Sequence, residues 1–521
     1  MKRTQKNNLF LVTIIILLTI LPLTILDAHP NFFPPYDHEL RIFIRSNGQI
    51  DPPSTPIKKV ENTYTFTDKI KGGIAVEKNN IIIDGAGFSL EGNNAGTGIY
   101  LKNTNNITIQ NVKITNFGYG LYVDQSENNI FQENTFTNCG IKITQNSNYN
   151  QILENTLTKG GIHIERSDDS LVYSNKADTL SLLWLNRTDI KNNHIINEKI
   201  EQTQTLNINT GLADSNGGLN LDHCDNSYVY GNVVENQITG ISIRQSKNLT
   251  LTENIMKNNL FFGVRVWGSD LEYYLHNIDT SNTIDGKPIY FLVNTHNFVV
   301  PKNAGWIAAI NCSNITVEDW ISTPNFEGIL FVETKNSKIF YSNLTRCHYA
   351  IRFDRVTNCT ITNNYMADNG YAAFYFEDTI NCLATENEVN NNYCFFNIWL
   401  YSTNNSFYHN NFVGNWTGSA GDRGCSNYYD NGSEGNFWSG YDSSHGKIYK
   451  IDDVNIDNYP FLTQFPVSLN RDVIPVESNP ENQSLQTEQE LLPLIVIIGI
   501  IALGFFVVII TRLANKRKTT I

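Results

Sequence analysis

NSKIFYSNLTRCHYAIRFDRVT, residues 336–357, is one unit of a repeat that runs through most of this chain. Further units begin at Asn358, Asn381 and Asn404, so the pattern recurs every 22 or 23 residues. In each unit a second Asn or Ser follows six residues after the first, at Ser342, Asn364, Asn387 and Asn410. The same spacing recurs upstream, at Asn105 and Asn111, Asn128 and Asn134, Asn226 and Asn232, and Asn248 and Asn254. A fixed period of this length indicates a repeat architecture.

We predict that the repeat forms a right-handed parallel β-helix, an all-β solenoid. Short alternating segments bounded by Asn, Gly, Ser and Asp are typical of strands separated by turns. Asn tolerates the left-handed backbone of a sharp corner, and Asn side chains of successive coils, about 4.8 Å apart, can hydrogen-bond in a ladder. A β-sandwich gives no reason for Asn to return at a fixed register. The prediction therefore places Asn364, Asn387 and Asn410 directly above one another.

The composition is compatible with a large exported protein. The chain has 521 residues, of which 41% are hydrophobic, and a net charge of −13 that argues against a nucleic-acid partner. Eight cysteines beside export signals point to an oxidising compartment. Cys359 and Cys382 follow the repeat Asn in consecutive coils, where their Cα atoms should stack within disulfide range. The pattern fits a disulfide and a pair of packed free thiols equally.

Both ends of the chain carry segments typical of membrane targeting. Residues 1–26 combine basic residues with an apolar run from Leu9 to Leu26, which predicts a signal peptide or a signal anchor. Residues 466–490 lack periodicity and read as a stalk. Residues 491–511 are long and apolar enough for a transmembrane helix, and a basic tail follows at 512–521. The positive-inside bias predicts a single-pass protein of the cell membrane with the β-helix outside the cell.

Two further stretches carry a resemblance to a known family. NNIIIDGAGFSLEG from Asn79 and NTIDGKPIYFLVN from Asn282, together with the Asn-led coils, resemble the NosD-type β-helix family. That family is related to carbohydrate-binding and sugar-hydrolysis repeat domains and is common in exported archaeal surface proteins. NYYDNGSEGNFWSGY from Asn427 resembles its C-terminal signature. The resemblance implies a β-helix but no single activity, since members range from copper-site maturation accessories to surface proteins.

These patterns divide the central part of the chain. Residues 27–78 form an N-terminal lead-in and cap, residues 79–412 form the β-helix, and residues 413–465 form an aromatic C-terminal cap. The period is broken at about 268–311, where we expect an irregular insertion that bulges from the body as a loop or hairpin through Asp285-Gly286.

A candidate ligand face follows from the alternation of side chains along a strand. Segments such as Gly240-Ile241-Ser242-Ile243 place apolar residues inward and the intervening residue outward. The expected outer column consists of Tyr122, Lys142, His163, Ser242, Arg265, Arg352 and Tyr375. A flat sheet with aromatic, basic and hydroxyl groups suits a polysaccharide or a cell-surface glycan, whereas a merely solvated face is the simpler interpretation of any one residue.

No complete catalytic or metal motif accompanies this face. Glycoside cleavage requires two carboxylates about 5 to 10 Å apart. Of the signatures of the β-helical polygalacturonases, only the Asp-Asp pair occurs here, at Asp168-Asp169 and Asp452-Asp453, so the set is incomplete. Copper favours Cys, Met and His, but the chain has three Met and ten scattered His. We therefore expect no catalytic residues, no metal and no cofactor.

The sequence thus predicts a membrane-anchored extracellular β-helix that serves as a surface-structural, adhesion or glycan-binding module. The alternatives are a polysaccharide lyase or glycoside hydrolase, and a copper-site maturation accessory of the NosD kind. An external location also allows N-glycosylation. Among the Asn-x-Ser/Thr sequons, the candidates outside the coils are Asn415, Asn431 and Asn482. Neither the ligand nor the oligomeric state can be deduced from these patterns.

Overall fold

The computed structural model describes residues 40–198, 217–399, 401–414 and 425–469. These residues form an all-β parallel solenoid of about 16 coils, and the helices among them are two short 3₁₀ turns, Leu271–Tyr274 and Ser443–His445. The expected signal segment, most of the stalk, the transmembrane segment and the basic tail lie outside the described residues, as do Asn415 and Asn482. Within the described ranges, no helix combines the length and the apolar composition needed to cross a bilayer.

The first part of the solenoid is built from three sheets, which we name A, B and C. Sheet A contains Leu40–Ile44, Ile50–Asp51, Gly73–Val76, Thr97–Lys102, Tyr119–Asp124, Gly140–Thr144, Ile162–Glu165, Leu180–Asn186, Gly217–Asp225, Thr239–Arg244 and Phe262–Trp267. Sheet B contains Ile57–Val60, Thr63–Phe66, Ile81–Asp84, Ile107–Gln110, Ile130–Gln132, Gln151–Leu153, Leu171–Tyr173, Asp189–Lys191, Tyr228–Tyr230, Thr250–Thr252 and Asn277–Ile278. Sheet C contains Ile70–Lys71, Ser89–Glu91, Lys113–Thr115, Thr135–Thr137, Thr156–Thr158, Lys176–Ala177, His194–Ile196, Val233–Glu235, Ile255–Lys257 and Thr283–Ile284.

The second part also has three sheets, D, E and F. Sheet D contains Lys287–Val293, Trp306–Ile310, Glu327–Val332, Tyr349–Asp354, Ala372–Glu377 and Cys394–Ile398. Sheet E contains His296–Val299, Ser313–Glu318, Lys338–Phe340, Thr360–Thr362, Leu383–Thr385 and Ser406–Tyr408. Sheet F contains Asn343–Thr345, Tyr365–Ala367, Glu388–Asn390, Asn411–Val413 and Phe437–Trp438, and a separate antiparallel pair is formed by Tyr449–Lys450 and Ile456–Asp457.

A hairpin joins the two parts and reverses the strand direction. Thr283–Ile284, the last strand of sheet C, pairs antiparallel with the start of Lys287–Val293, the first strand of sheet D. Asp285 and Gly286 form its turn, with φ of 47° and 79°. Sheets C and D thereby form one continuous sheet of 16 strands. A hairpin therefore lies at Asp285-Gly286, as expected, but the surrounding segment 268–311 contributes strands to the solenoid instead of bulging from it.

Period-2 alternation explains why these short segments are strands. In Ile162–Glu165 the two isoleucines are buried, whereas His163 and Glu165 are half-buried on the outer face. Isoleucine, valine, leucine and phenylalanine fill the equivalent inward positions of successive coils. In the second part, the rings of Phe331, Phe353 and Phe376 stack with centroids 5.3 and 5.2 Å apart. Each coil therefore buries its apolar surface against its neighbours, as expected for a solenoid.

The predicted Asn ladder is confirmed. Oδ1 of Asn387 accepts hydrogen bonds from the backbone N and from Nδ2 of Asn364, both at 3.0 Å. Asn387 donates in the same way to Oδ1 of Asn410, at 3.0 and 2.9 Å, and all three side chains are completely buried. An equivalent ladder in the first part links Asn134, Asn155, Asn175, Asn193, Asn232, Asn254 and Asn282. The ladder thus gives hydrogen-bond acceptors to the backbone N–H groups of the corner residues, which do not pair with a neighbouring strand.

Cys359 and Cys382 occupy a second corner ladder. The backbone N of Cys359 lies 3.5 Å from Sγ of Cys382, and the backbone N of Cys382 donates to Oδ1 of Asn405 at 2.9 Å. The two cysteines thus hold positions that Asn405 and Asn427 hold in the next coils. All eight cysteines are buried as free thiols in the structure.

Two strands of sheet D, Trp306–Ile310 and Glu327–Val332, are buried on both faces, which distinguishes them from the strands of sheet A. Along Trp306–Ile310, the side chains of Trp306, Ala308 and Ile310 belong to the core of the first part. Ile307 and Ala309, which point the other way, belong to the core of the second part. The outward face of sheet D therefore packs against the first part of the solenoid near the hairpin.

Candidate functional site

The outward face of sheet A carries one continuous column of polar and aromatic side chains. Tyr122 pairs with Lys142 and Lys142 with His163 in adjacent strands. The register continues to Ser242 and Arg265 through Ser181 and Asn220. Five of the seven residues expected in the ligand face therefore lie in one column. Tyr100 extends it by one strand at the other end.

Sequence reasoning missed three members of this column: Tyr100, Ser181 and Asn220. Ser181 lies in Leu180-Ser181-Leu182, where no Gly precedes the first apolar residue. Asn220 lies in the Gly-apolar-x-apolar pattern, at Gly218-Leu219-Asn220-Leu221, so the signal was present there. Tyr100 lies in the same pattern, at Gly98-Ile99-Tyr100-Leu101, where the signal was also present.

Two of the expected residues are not open to solvent. Tyr122 is only 5% exposed because Tyr100 and Tyr119 pack against its ring, with centroids 5.7 and 5.4 Å away. Arg352 is only 3% exposed because it lies in sheet D, whose outward face is covered by the first part of the solenoid. The expectation of a single outer column is therefore wrong for Arg352, and Tyr375 next to it in sheet D is half-buried.

Lys142 and His163 form the centre of the accessible column. Nζ of Lys142 lies 5.9 Å from the ring centroid of Tyr119, and Nε2 of His163 lies 3.7 Å from Oε2 of Glu165. Burial and the neighbouring Lys142 ammonium lower the pKa of His163, against the opposing effect of Glu165. His163 is therefore a neutral imidazole at pH 7, able to donate one hydrogen bond and accept another.

A second column beside the first contains three carboxylates, each matched with a cation. Lys102 lies 3.7 Å from Asp124, Arg166 lies 3.5 Å from Glu165, and Arg244 lies 2.5 Å from Asp222. Successive carboxylates are separated by two strand steps, with Thr144 and Leu183 between them. At about 4.8 Å per step, the carboxylates are roughly 10 Å apart along the column. They are evenly spaced and individually neutralised, and they do not converge on one point.

A histidine at the adjacent corner is held in a defined orientation. Nδ1 of His223 lies 2.7 Å from Oδ1 of Asp222, and its ring packs on that of Trp184 with centroids 5.6 Å apart. The guanidinium of Arg166 lies over the other face of Trp184 at 4.8 Å. Arg166, Trp184 and His223 all have positive φ, at 49°, 52° and 53°, because they occupy the same corner in successive coils. The three side chains form a stacked column in which Trp184 remains 43% exposed.

The column on sheet A ends at the junction with the second part. The guanidinium of Arg265 lies 4.2 Å from the ring centroid of Phe326, and the backbone N of Val264 donates to Asn325 instead of to a further strand. Arg352 and Glu327, both buried in sheet D, form an ion pair at 3.1 Å. Arg352 also donates to the hydroxyl of Tyr274, at 3.2 Å, from the segment after the last strand of sheet A. These contacts stabilise the junction between the first and second parts of the solenoid.

Comparison with known proteins gives two family matches. Residues 45–177 and 97–284 match the family described as right handed beta helix region. Residues 263–443 match the family described as periplasmic copper-binding protein (NosD). No curated protein matches the chain.

Several solved structures are distantly similar. The A-module of the Azotobacter vinelandii mannuronan C-5 epimerase AlgE6 is 10% identical, with 70% of this chain and 87% of that chain covered and a TM-score of 0.19. The periplasmic alginate epimerase AlgG is 12% identical, with 68% and 77% covered and a TM-score of 0.22. An exopolygalacturonase from Thermotoga maritima is 12% identical, with 63% and 76% covered and a TM-score of 0.18. Identities and TM-scores this low carry no information on activity.

The described residues do not fit the copper named in the family description. Among them, no group of three or more His, Cys, Asp and Glu side chains is arranged to hold a metal ion. Burial raises the pKa of the Cys139 and Cys347 thiols to about 11 and of the Cys224 and Cys394 thiols to about 12, so these thiols remain protonated at neutral pH. A protonated thiol is a poor metal ligand.

Proposed function

We propose that this chain, a right-handed β-helix protein of the NosD type, binds a linear glycan along the outward face of sheet A. The observation that carries the proposal is the in-register column from Tyr100 to Arg265. A small molecule is usually bound in a concave pocket. A flat column that offers one polar or aromatic group per coil suits a polymer whose hydroxyl groups also repeat.

The dimensions of the column support an extended ligand. Eight residues in eight successive strands span seven strand steps, or about 34 Å at roughly 4.8 Å per step. Lys142, His163, Ser181, Asn220 and Ser242 supply donors and acceptors along this length. Tyr100 supplies an aromatic ring at one end. Phe326 and Arg265 close the other end, so the bound polymer would stop at the junction.

Binding without cleavage accounts best for the carboxylates. A glycosidase places one protonated and one ionised carboxyl group on either side of the bond that it breaks. Here Asp124, Glu165 and Asp222 each lie beside their own cation. One observation favours the alternative of a polysaccharide-cleaving enzyme: His163 and His223 each lie beside a carboxylate on this same face.

We further propose that the β-helix is displayed outside the cell by the C-terminal apolar segment. The support is in the sequence: residues 491–511 are apolar, and Arg512, Lys516, Arg517 and Lys518 follow. A glycan-binding face on such an anchored domain would serve adhesion or attachment to a surface layer.

The test is a glycan-binding measurement on the full-length chain with Lys142→Ala and a matched control. Loss of a hydrogen bond from a charged group costs about 1.5–3 kcal/mol, so Lys142→Ala should weaken binding by roughly 10-fold or more. Lys113→Ala removes an exposed lysine from sheet C and should leave the affinity unchanged. Equal effects of the two substitutions would contradict the proposed face. Shortened or chemically altered glycan products would favour the enzyme.

A further inference from the structure

The turn Asn431–Glu434 presents an asparagine in an unusual arrangement. It lies between the last two strands of sheet F, Asn411–Val413 and Phe437–Trp438, and all four of its residues are exposed. Oδ1 of Asn431 accepts three hydrogen bonds: from the backbone N and Oγ of Ser433, at 3.0 and 2.9 Å, and from the backbone N of Glu434, at 2.9 Å. The carboxamide is thereby fixed through its oxygen and leaves Nδ2 outside this set of bonds.

The turn itself is anchored to the body. Oδ1 of Asp430 accepts from the backbone N of Gly432, and its Oδ2 accepts from the backbone N and Nδ2 of Asn458, all at 2.9 Å. Gly432 adopts a φ of 90°, which favours glycine, and a Cβ placed there would meet nothing within 4 Å. The sequence Asn431-Gly432-Ser433 therefore lies on a rigid and sterically open corner.

Of the eight other Asn-x-Ser/Thr sequons in the described part of the chain, six are differently engaged. In five of them Nδ2 donates across to the Asn of a neighbouring coil, at Asn106, Asn248, Asn311, Asn314 and Asn404. A sixth, Asn343, is only 1% exposed. The hydroxyl residues of these sequons are strand residues, for example Thr250 and Thr316. At the first five, a glycan would occupy the same Nδ2 atom that bonds to the neighbouring coil and would leave it one N–H instead of two.

We propose that Asn431 is an N-glycosylation site and that the five sequons whose Nδ2 bonds to a neighbouring coil are not. A bond forms between Nδ2 of Asn431 and the anomeric carbon of an oligosaccharide carried on a lipid diphosphate. The bond between that carbon and the diphosphate oxygen breaks, the lipid diphosphate leaves with the electron pair, and Nδ2 loses one proton to a base of the transferase. Three donors on Oδ1 stabilise the negative charge that the carboxamide oxygen gains as the proton departs.

The test uses the purified full-length chain from a host without N-glycosylation. The folded protein is incubated with an oligosaccharyltransferase and its lipid diphosphate-linked oligosaccharide, and an acceptor peptide in the same reaction verifies transfer. Peptide mapping by mass spectrometry then gives the occupancy of each sequon. We expect the Asn431 peptide to be modified at least ten times more than the Asn248 and Asn314 peptides. Unfolding the chain first should abolish this preference.

Variants test the two side chains on which the proposed transfer depends. Ser433→Ala removes the hydroxyl bond to Oδ1 and should abolish transfer, whereas Ser433→Thr keeps it and should retain transfer. Asn431→Gln removes the acceptor. An unmodified Asn431 in a reaction that modifies the acceptor peptide would overturn the proposal. So would equal occupancy of Asn248 or Asn314 in the folded chain. Neither outcome bears on glycan binding by sheet A.

Discussion

Replacing Asn387 by alanine tests the corner ladder most directly. The side chain is completely buried and takes part in five hydrogen bonds: it accepts from the backbone N and Nδ2 of Asn364, and its own Nδ2 donates to Asn410, Ile361 and Thr385. Alanine leaves the backbone N–H of Asn364 buried without an acceptor, which costs about 1–3 kcal/mol. Loss of the remaining bonds adds about 2 kcal/mol, because several of their partners keep other contacts. We expect a total destabilisation of about 3–5 kcal/mol.

The assay compares Asn387→Ala with a control from the same coil. Asn391 is exposed, has a φ of 50°, and donates from Nδ2 to Asp368. Asn391→Gly removes that bond without straining the left-handed backbone and should cost less than about 1 kcal/mol. Stability is measured by urea denaturation and by hydrogen exchange of the amides in neighbouring coils, because a solenoid need not unfold as one unit. Similar losses for the two variants, or unchanged exchange at the Asn364 amide, would refute the ladder argument.

Three further outcomes follow from buried groups. Burial raises the pKa of Asp354 from 3.8 to about 6, so folding favours the protonated acid. The contribution of this group to stability is therefore present below about pH 4 and is lost as the pH rises through 6. Asp354→Asn should reduce the fall in the urea midpoint between pH 4 and pH 7. Arg352→Met leaves Glu327 buried without its partner and should cost about 3–5 kcal/mol, whereas Arg352→Met combined with Glu327→Leu should recover most of that loss in a double-mutant cycle. Thiol titration of the denatured chain should find all eight cysteines. A count of six that rises to eight after reduction would instead show one disulfide, which peptide mapping would assign to Cys359 and Cys382 or to another pair.

The repeat period allowed the most reliable predictions. Asn at intervals of 22 or 23 residues has a direct structural cause, because one coil consumes that many residues and its corner needs the same hydrogen bonds each time. The same register argument placed Tyr122, Lys142, His163, Ser242 and Arg265 in one column. Side chains alternate between the two faces of a strand. Because successive coils pair in register, equivalent residues of neighbouring coils lie on the same face.

Contacts between distant parts of the chain could not be predicted in this way. The break in the period at about 268–311 indicated a loop or hairpin through Asp285-Gly286, but it did not indicate that this segment contributes strands to the solenoid or that the strand direction reverses there. The burial of Arg352 depends on Glu327, which is 25 residues away, and on Tyr274, which is 78 residues away. One signal was available: Trp306–Ile310 is uninterrupted apolar sequence, which is typical of a strand covered on both faces.

The antiparallel turn at residues 285–286 has a consequence for how the molecule can change in size. Each Asn of the ladder bonds to the coils directly before and after it, so a whole coil inserted ahead of the turn would be accommodated without altering the junction at Phe326 and Arg265. Every such insertion would lengthen the exposed face of sheet A by about 4.8 Å. The number of coils in the first part would thus set the length of glycan that the proposed binding face can contact, while the second part would be unchanged.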